Sequence, residues 1–388
     1  MSKWIRRFAA PLIALCLMTS LLCLTRIVPC VWATASEAEP SVQRQYEQTV
    51  SKAISYLVNK GRASDGSYSS FSGPGVTALA TTALLRHGRS PNEPLVAGSL
   101  QYLVNFVQPD GGIYQSGSLY RNYETCLIIM CLTEANRNGR YDQVLARAEK
   151  FVTGIQWDEG EQKNASSFDY GGAGYGKHKR PDLSNTSYLV DALAARGHTA
   201  DSESLQRALV FISRCQNLET EHNTTPFSTR NPDGGFYYTP AAGGTSQAGQ
   251  TAAGGLRSYA SMTYAGLKSM IYAGVELDDP RVEAAIEWIG KNYGLDSNPG
   301  LGNSGLFYYY HTFAKALHAM GAEQIRDAAG AQHDWRAELI RELARRQQPD
   351  GSWVNENNRW FEGDPNLVTG YALLALSYCQ PRSAVSQQ

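Results

Sequence analysis

Gln347-Gln348-Pro349-Asp350-Gly351-Ser352-Trp353 is the stretch on which the reading of this 388-residue chain turns. Pro349 presets φ, Asp350 favours a turn, Gly351 supplies a positive φ, and Trp353 brings a large apolar ring that has to be buried against a neighbour. Weaker copies lie upstream: Gln108-Pro109-Asp110-Gly111-Gly112-Ile113-Tyr114, Asn231-Pro232-Asp233-Gly234-Gly235-Phe236-Tyr237 and Asp65-Gly66-Ser67-Tyr68. In the two longer copies the Trp place is read as Tyr114 and Tyr237. A recurring turn implies a repeated unit around it.

Outward from the turns, apolar helical segments carry an aromatic at one register, Tyr56, Tyr102, Phe151, Phe211 and Trp288, with Glu342 in the sixth place. Second helical segments align on Thr77, Thr125, Thr186, Thr263, Thr312 and Thr369. Seven residues further on stand Leu84, Leu132, Leu193, Met270, Ala319 and Leu376, two turns along one face. Most of these helices stop at a glycine: Gly88, Gly139, Gly197, Gly274 or Gly321. Strand signals are weak throughout. The pattern predicts an all-α chain of six helical hairpins, twelve helices. The apolar end Leu373-Leu374-Ala375-Leu376 favours closing them into a ring over an open solenoid, whose end repeats would be polar.

Charge and composition bound the function. With 35 Lys+Arg against 36 Asp+Glu, the net charge of -1 excludes nucleic-acid binding and a polybasic membrane surface. At 43% hydrophobic and 18% charged residues, the chain is expected to fold around a packed core. Lys3, Arg6 and Arg7, the apolar run Phe8 to Leu24 and Ala33-Thr34-Ala35 read as a signal peptide over 1–35, addressing the chain to secretion, the periplasm or the cell envelope. Membrane contact is expected only if that segment stays uncleaved. A linker over 36–47, the repeats over 48–380 and a disordered tail over 381–388 complete the organisation. Cys126, Cys131, Cys215 and Cys379 read as packing thiols, without disulfide-framework or zinc spacing. No cofactor or metal is expected.

The Gln-x3-Gly-x-Trp form of residues 347–353 resembles the QW repeat of squalene and oxidosqualene cyclases and, more loosely, of protein prenyltransferase β subunits. The chain is thereby identified as a member of the prenyltransferase/squalene cyclase repeat superfamily, similar to a squalene cyclase C-terminal-like domain. The resemblance implies an α/α toroid with the Thr-started helices innermost around a central cavity. The residue before each Thr would then ring one mouth: Val76, Glu124, Asn185, Met262, His311 and Val368. The superfamily's catalytic motifs are degenerate. Asp182-Leu183-Ser184-Asn185-Thr186 stands where cyclases carry Asp-x-Asp-Asp-Thr, with a serine in place of the proton-donating acid. Asp182 and Ser184 also suit a helix cap. Tyr310-His311-Thr312 keeps the zinc histidine of prenyltransferases, but Ser261-Met262-Thr263 replaces the partner Asp and Cys.

The expected function is that of an exported toroid that binds or scaffolds in the cell envelope through a Tyr-rich cavity. Its partner would be an apolar or isoprenoid small molecule, or a glycan, with Tyr259, Tyr309 and Tyr310 as ligand contacts. The alternative is an enzyme of unrecognised chemistry on an isoprenoid or a glycan, with Asp182, Tyr310 and His311 as catalytic candidates and Glu124, Asp182 and Asp364 as a glycan-directed carboxylate set. The cavity wall separates the two: aromatic for a binder, converging ionisable groups for an enzyme. The small-residue loop Thr239 to Gly255 is expected to be too flexible to pack, a lid or a tolerated insertion.

Overall fold

In the computed structural model, which describes residues 41–176 and 180–380, helices alternate between two concentric layers. The outer layer is α1 (Val42–Tyr56), α3 (Pro94–Val104), α5 (Asp142–Thr153), α7 (Glu203–Arg214), α9 (Pro280–Lys291) and α11 (Trp335–Arg346). The inner layer is α2 (Gly75–Arg86), α4 (Arg121–Ala135), α6 (Leu183–Ala195), α8 (Ala260–Tyr272), α10 (Leu306–Ala319) and α12 (Pro365–Ser377). Each inner helix packs on the next, and α12 packs on α2, so the ring closes. The fold is an α/α toroid of twelve helices. The one ribbon among the described residues is β1 (Ile325–Arg326) paired antiparallel with β2 (Gln332–His333).

Sequence decides the layer. In α2 every residue from Gly75 to Leu85 is buried, whereas α5 buries only Leu145, Ala148 and Val152. A helix apolar all round belongs inside, and one with a single apolar stripe covers it. Among the described residues no helix is long and apolar enough to cross a membrane.

The turn that opened the sequence reading is the joint of the structure. Gly351 has φ 94°, and a Cβ there would sit 2.3 Å from the Lys52 carbonyl oxygen of α1. At Gly171 (φ 81°) the clearance to the Arg207 carbonyl of α7 would be 1.7 Å. Each such turn lies flat on the backbone of the next outer helix, an approach only glycine allows. Gln347 Nε2 completes the joint, donating to the Gly351 carbonyl at 3.0 Å and the Thr49 carbonyl at 2.9 Å. Gln156 does the same to Gly171 and Ser204, and Gln216 to Gly234 and Arg281. In these two joints long insertions separate glutamine from glycine, which hid both glutamines, and the turn at Gly171, from sequence spacing.

The repeated threonines bolt the joints to the inner helices. Thr77, Thr125, Thr186, Thr263 and Thr369 accept the backbone N–H of Tyr68, Ile113, Ala173, Phe236 and Trp353, at 2.9 to 3.2 Å. All five donors are fully buried. Ile113 and Phe236 therefore occupy the place of Trp353, and the assignment of that place to Tyr114 and Tyr237 is one residue too far along.

The fifth repeat departs from the pattern. Thr312 donates only to carbonyls of its own helix, Tyr308 and Tyr309. Tyr310, two residues earlier, takes the bolt position and donates to the Leu295 carbonyl at 2.5 Å. With this register, the seventh residue on is the fully buried Leu317, matching Leu84, Leu132, Leu193, Met270 and Leu376, whereas Ala319 is half-buried.

Other expectations are also corrected. The linker expected over 36–47 overlaps α1, because Ser41 Oγ caps the helix at the Arg44 N–H and Tyr46 is buried; the signal peptide expected over 1–35 and the tail over 381–388 lie outside the described residues. Thr239 to Gly255 is anchored at its ends, with Ala242, Gln250, Ala252 and Ala253 exposed between: Thr239 and Thr245 exchange backbone hydrogen bonds, Thr239 Oγ1 donates to the Pro181 carbonyl, and the adjoining Leu256 joins Phe227 and Tyr237 in a small second core. The four cysteines of the repeats are free and buried, as packing thiols.

Candidate functional site in the axial well

Because the threonines point outward to the joints, the faces toward the axis are those two residues before and two, five and nine residues after the bolt position. They form four layers. At the loop-bearing mouth Ser184 Oγ lies 3.1 Å from Tyr308 Oη, with Tyr123 alongside, all three half-buried. One turn deeper, Tyr371 Oη meets Tyr123 Oη at 3.3 Å and Tyr188 Oη at 3.5 Å. Tyr188 and Tyr371 are 4% and 6% exposed, so solvent access falls off inward along the axis. The rings of Tyr123 and Tyr188 meet edge to face at 5.0 Å.

Below the tyrosines lies a charged layer that no sequence motif announced. Asp191 Oδ1 pairs with Lys268 Nζ at 2.6 Å and Asp191 Oδ2 with Lys315 Nζ at 2.7 Å. Burial would raise the Asp191 carboxyl, but the two ammoniums hold it below the usual range. Burial draws Lys268 down to about 8 and also lowers Lys315. At the far mouth Arg86 donates to Tyr378 Oη at 2.6 Å and pairs with Glu134 at 3.3 Å.

The sequence candidates fall elsewhere than expected. The proposed mouth ring is buried: Val76, Met262 and Val368 as packing, Glu124 and Asn185 as polar anchors. A residue just before the bolt position faces the neighbouring inner helix, not the axis, which is why these five do not line the well. Glu124 accepts from the Gln115 N–H at 2.8 Å and the Ser118 hydroxyl at 2.7 Å, and burial raises its carboxyl. Asp364 caps α12 and accepts from Ser69 Oγ at 2.9 Å. Asp182 caps α6, accepting the Asn185 N–H and side-chain amide, each at 2.9 Å. No hydrogen bond among the described residues joins any two of Glu124, Asp182 and Asp364.

Tyr309 and Tyr310 are fully buried in the wall, their hydroxyls spent on the Gly294 and Leu295 carbonyls, and Tyr259 is 2% exposed. Tyr309 and Tyr310 are joints of the fifth repeat rather than cavity lining, and Tyr259 is the N-cap of α8, its N–H donating to the Phe236 carbonyl. The tyrosines at the axis are Tyr123, Tyr188, Tyr308 and Tyr371. His311 alone of the earlier candidates approaches the well, its ring stacked on Tyr371 at 5.8 Å. Burial first, then Lys315, holds its imidazole well below the usual pKa, hence neutral. One sequence signal would have found the register: Gly321 follows Tyr310 by eleven residues, as Gly88 follows Thr77, Gly197 Thr186 and Gly274 Thr263.

No family model and no curated protein matches the sequence. Among solved structures, a variant of the type II terpene cyclase MstE from Scytonema, in complex with the substrate geranylgeranyl dihydroxybenzoate, is similar over 88% of this chain and 99% of its own, at 13% identity and a TM-score of 0.54. A polysaccharide lyase is similar over 86% of this chain and 96% of its own, at 12% identity and a TM-score of 0.50. At these identities the likeness is one of fold: this chain is an α/α toroid, an architecture it shares with a terpene cyclase and a polysaccharide lyase.

Proposed function

We propose that the protein is an exported binding protein of the cell envelope, whose axial well holds a small molecule with an elongated apolar body of the isoprenoid kind. The observation that carries this reading is the wall of Tyr123, Tyr188, Tyr308 and Tyr371. Aromatic faces cover apolar carbon, while the hydroxyls of Tyr123, Tyr188 and Tyr371 pair with one another and that of Tyr308 with Ser184, without needing a polar ligand. Cyclisation chemistry lacks its acid, because Ser184 stands at the proton-donor place and is hydrogen-bonded to Tyr308. Export rests on the basic and apolar pattern of residues 1–35.

One observation favours an enzyme. Burial pushes the Asp182 carboxyl up to about 6 against its hydrogen bonds to Asn185 and Tyr238, and a carboxyl titrating near neutrality suits proton transfer on a glycan.

Native mass spectrometry on the protein purified from an exporting host, with organic extraction of whatever it carries, tests the binding reading. The expected result is one apolar molecule per chain, lost on Tyr308→Ala. A chain that is empty, and that takes up neither an added prenyl compound nor any other lipid, overturns it.

A further inference from the structure

Asp191, Lys268 and Lys315 occupy one position, five residues after the bolt, on three successive inner helices. Their side chains are 4%, 2% and 7% exposed, and one carboxylate serves two ammoniums. Lys268 spends a second hydrogen on the Ser187 carbonyl at 3.3 Å. The adjoining pair Arg86 and Glu134 is neutral by itself. His311 adds no charge, so among the described residues this part of the axis carries one positive charge in excess. Uncompensated buried charge is costly, and proteins keep it where something neutralises it.

A second, independent observation points to what does so. His311 sits one turn from Lys315 on the same face of α10, is 6% exposed, and its Nδ1 atom has no hydrogen-bond partner. A buried ring nitrogen left open beside two ammoniums is one side of a recognition site whose other side is a ligand oxygen.

We propose that the charged layer is a headgroup site, in which Lys315, Lys268 and His311 receive the terminal anionic group of the molecule whose apolar body lies among the tyrosines. This rests on the binding reading above and narrows it from an apolar ligand to an anionic amphiphile. The count of charges matches a singly charged end group, a carboxylate, better than a doubly charged phosphate ester.

Single lysine substitutions test it cleanly, because Asp191 keeps one ammonium when the other is removed. Lys315→Met is expected to leave the ligand-free melting temperature unchanged or raised, where a purely structural lysine would lower it. Binding is measured by calorimetry with farnesoic acid, farnesyl phosphate and farnesol. The wild type is expected to bind the acid at least tenfold more tightly than the alcohol, and Lys315→Met and Lys268→Met to abolish that preference while leaving the alcohol unaffected. Phosphate bound more tightly than acid overturns the single-charge assignment. Equal affinity for acid and alcohol, or a preference that survives both substitutions, overturns the headgroup site and leaves the apolar well standing. Failure of all three probes to bind overturns both.

Discussion

The six inner helices have two faces that obey different rules. The face toward the joints repeats: threonine, then an apolar residue seven further on, then a glycine, in repeat after repeat. The face toward the axis repeats nothing; two tyrosine-bearing layers give way to one aspartate, two lysines and a histidine. The outward face solves one packing problem six times, so selection for the fold writes it periodically. The inward face meets whatever occupies the centre, and nothing about closing a ring dictates its chemistry.

The comparison breaks most severely at Asp191. Asp191→Ala leaves Lys268 and Lys315 buried beside each other without an anion, and is expected to cost about 3 to 5 kcal/mol in a urea titration. If the loss stays below about 1 kcal/mol, the axis is wetter than its burial implies and the two faces differ less than described.

Next in size is Asp182, which belongs to the end of the helix rather than to either face. Its folded-state carboxyl, at about 6, lies above the ordinary aspartate value of 3.8, so the folded state binds the proton more tightly. Stability from this group is complete below about pH 4 and is lost as pH rises through about 6, a difference of about 3 kcal/mol. Asp182→Asn keeps a capping side chain and is expected to flatten that part of the stability profile between pH 4 and 7. An unchanged slope would mean that the group is ionised in the folded protein throughout.

The smallest effect separates bolts from the false bolt. Thr263→Val strands the buried Phe236 N–H and is expected to cost about 1 to 3 kcal/mol, whereas Thr312→Val removes only a bond within its own helix, at about 0.5 kcal/mol or less. Equal costs would return Thr312 to the series and undo the register of the fifth repeat.

This contrast also explains what could be read from sequence. Toroid, helix number and the threonine column were legible because Pro349-Asp350-Gly351 and its copies state the same turn chemistry repeatedly. The fifth repeat misled because a tyrosine does the work of a threonine there, and Thr312 happens to stand two residues on. The glutamines of two joints, Gln156 and Gln216, escaped the sequence reading because insertions separate them from Gly171 and Gly234, although space brings them together. Asp191, Lys268 and Lys315 look like three unrelated charges in three apolar helices. Only the register, fixed by the outward face, shows that they share a layer. Tyr309 and Tyr310 were assigned to the cavity on aromatic content, and the difference between a wall tyrosine and a lining tyrosine is a rotation of one residue that composition does not carry.

The joint at Gly351 has a consequence for how the molecule is made. It seats the last turn on the first helix, and beside it His87 meets the Leu373 carbonyl across 286 residues of chain. A polypeptide emerging from its N-terminal end therefore produces α1 and α2 with one flank bare, and every hairpin added afterwards covers its predecessor but not that flank. The open edge is carried through the synthesis of every intervening hairpin and sealed only when α11 and α12 are added, so closing the ring is one late, long-range step.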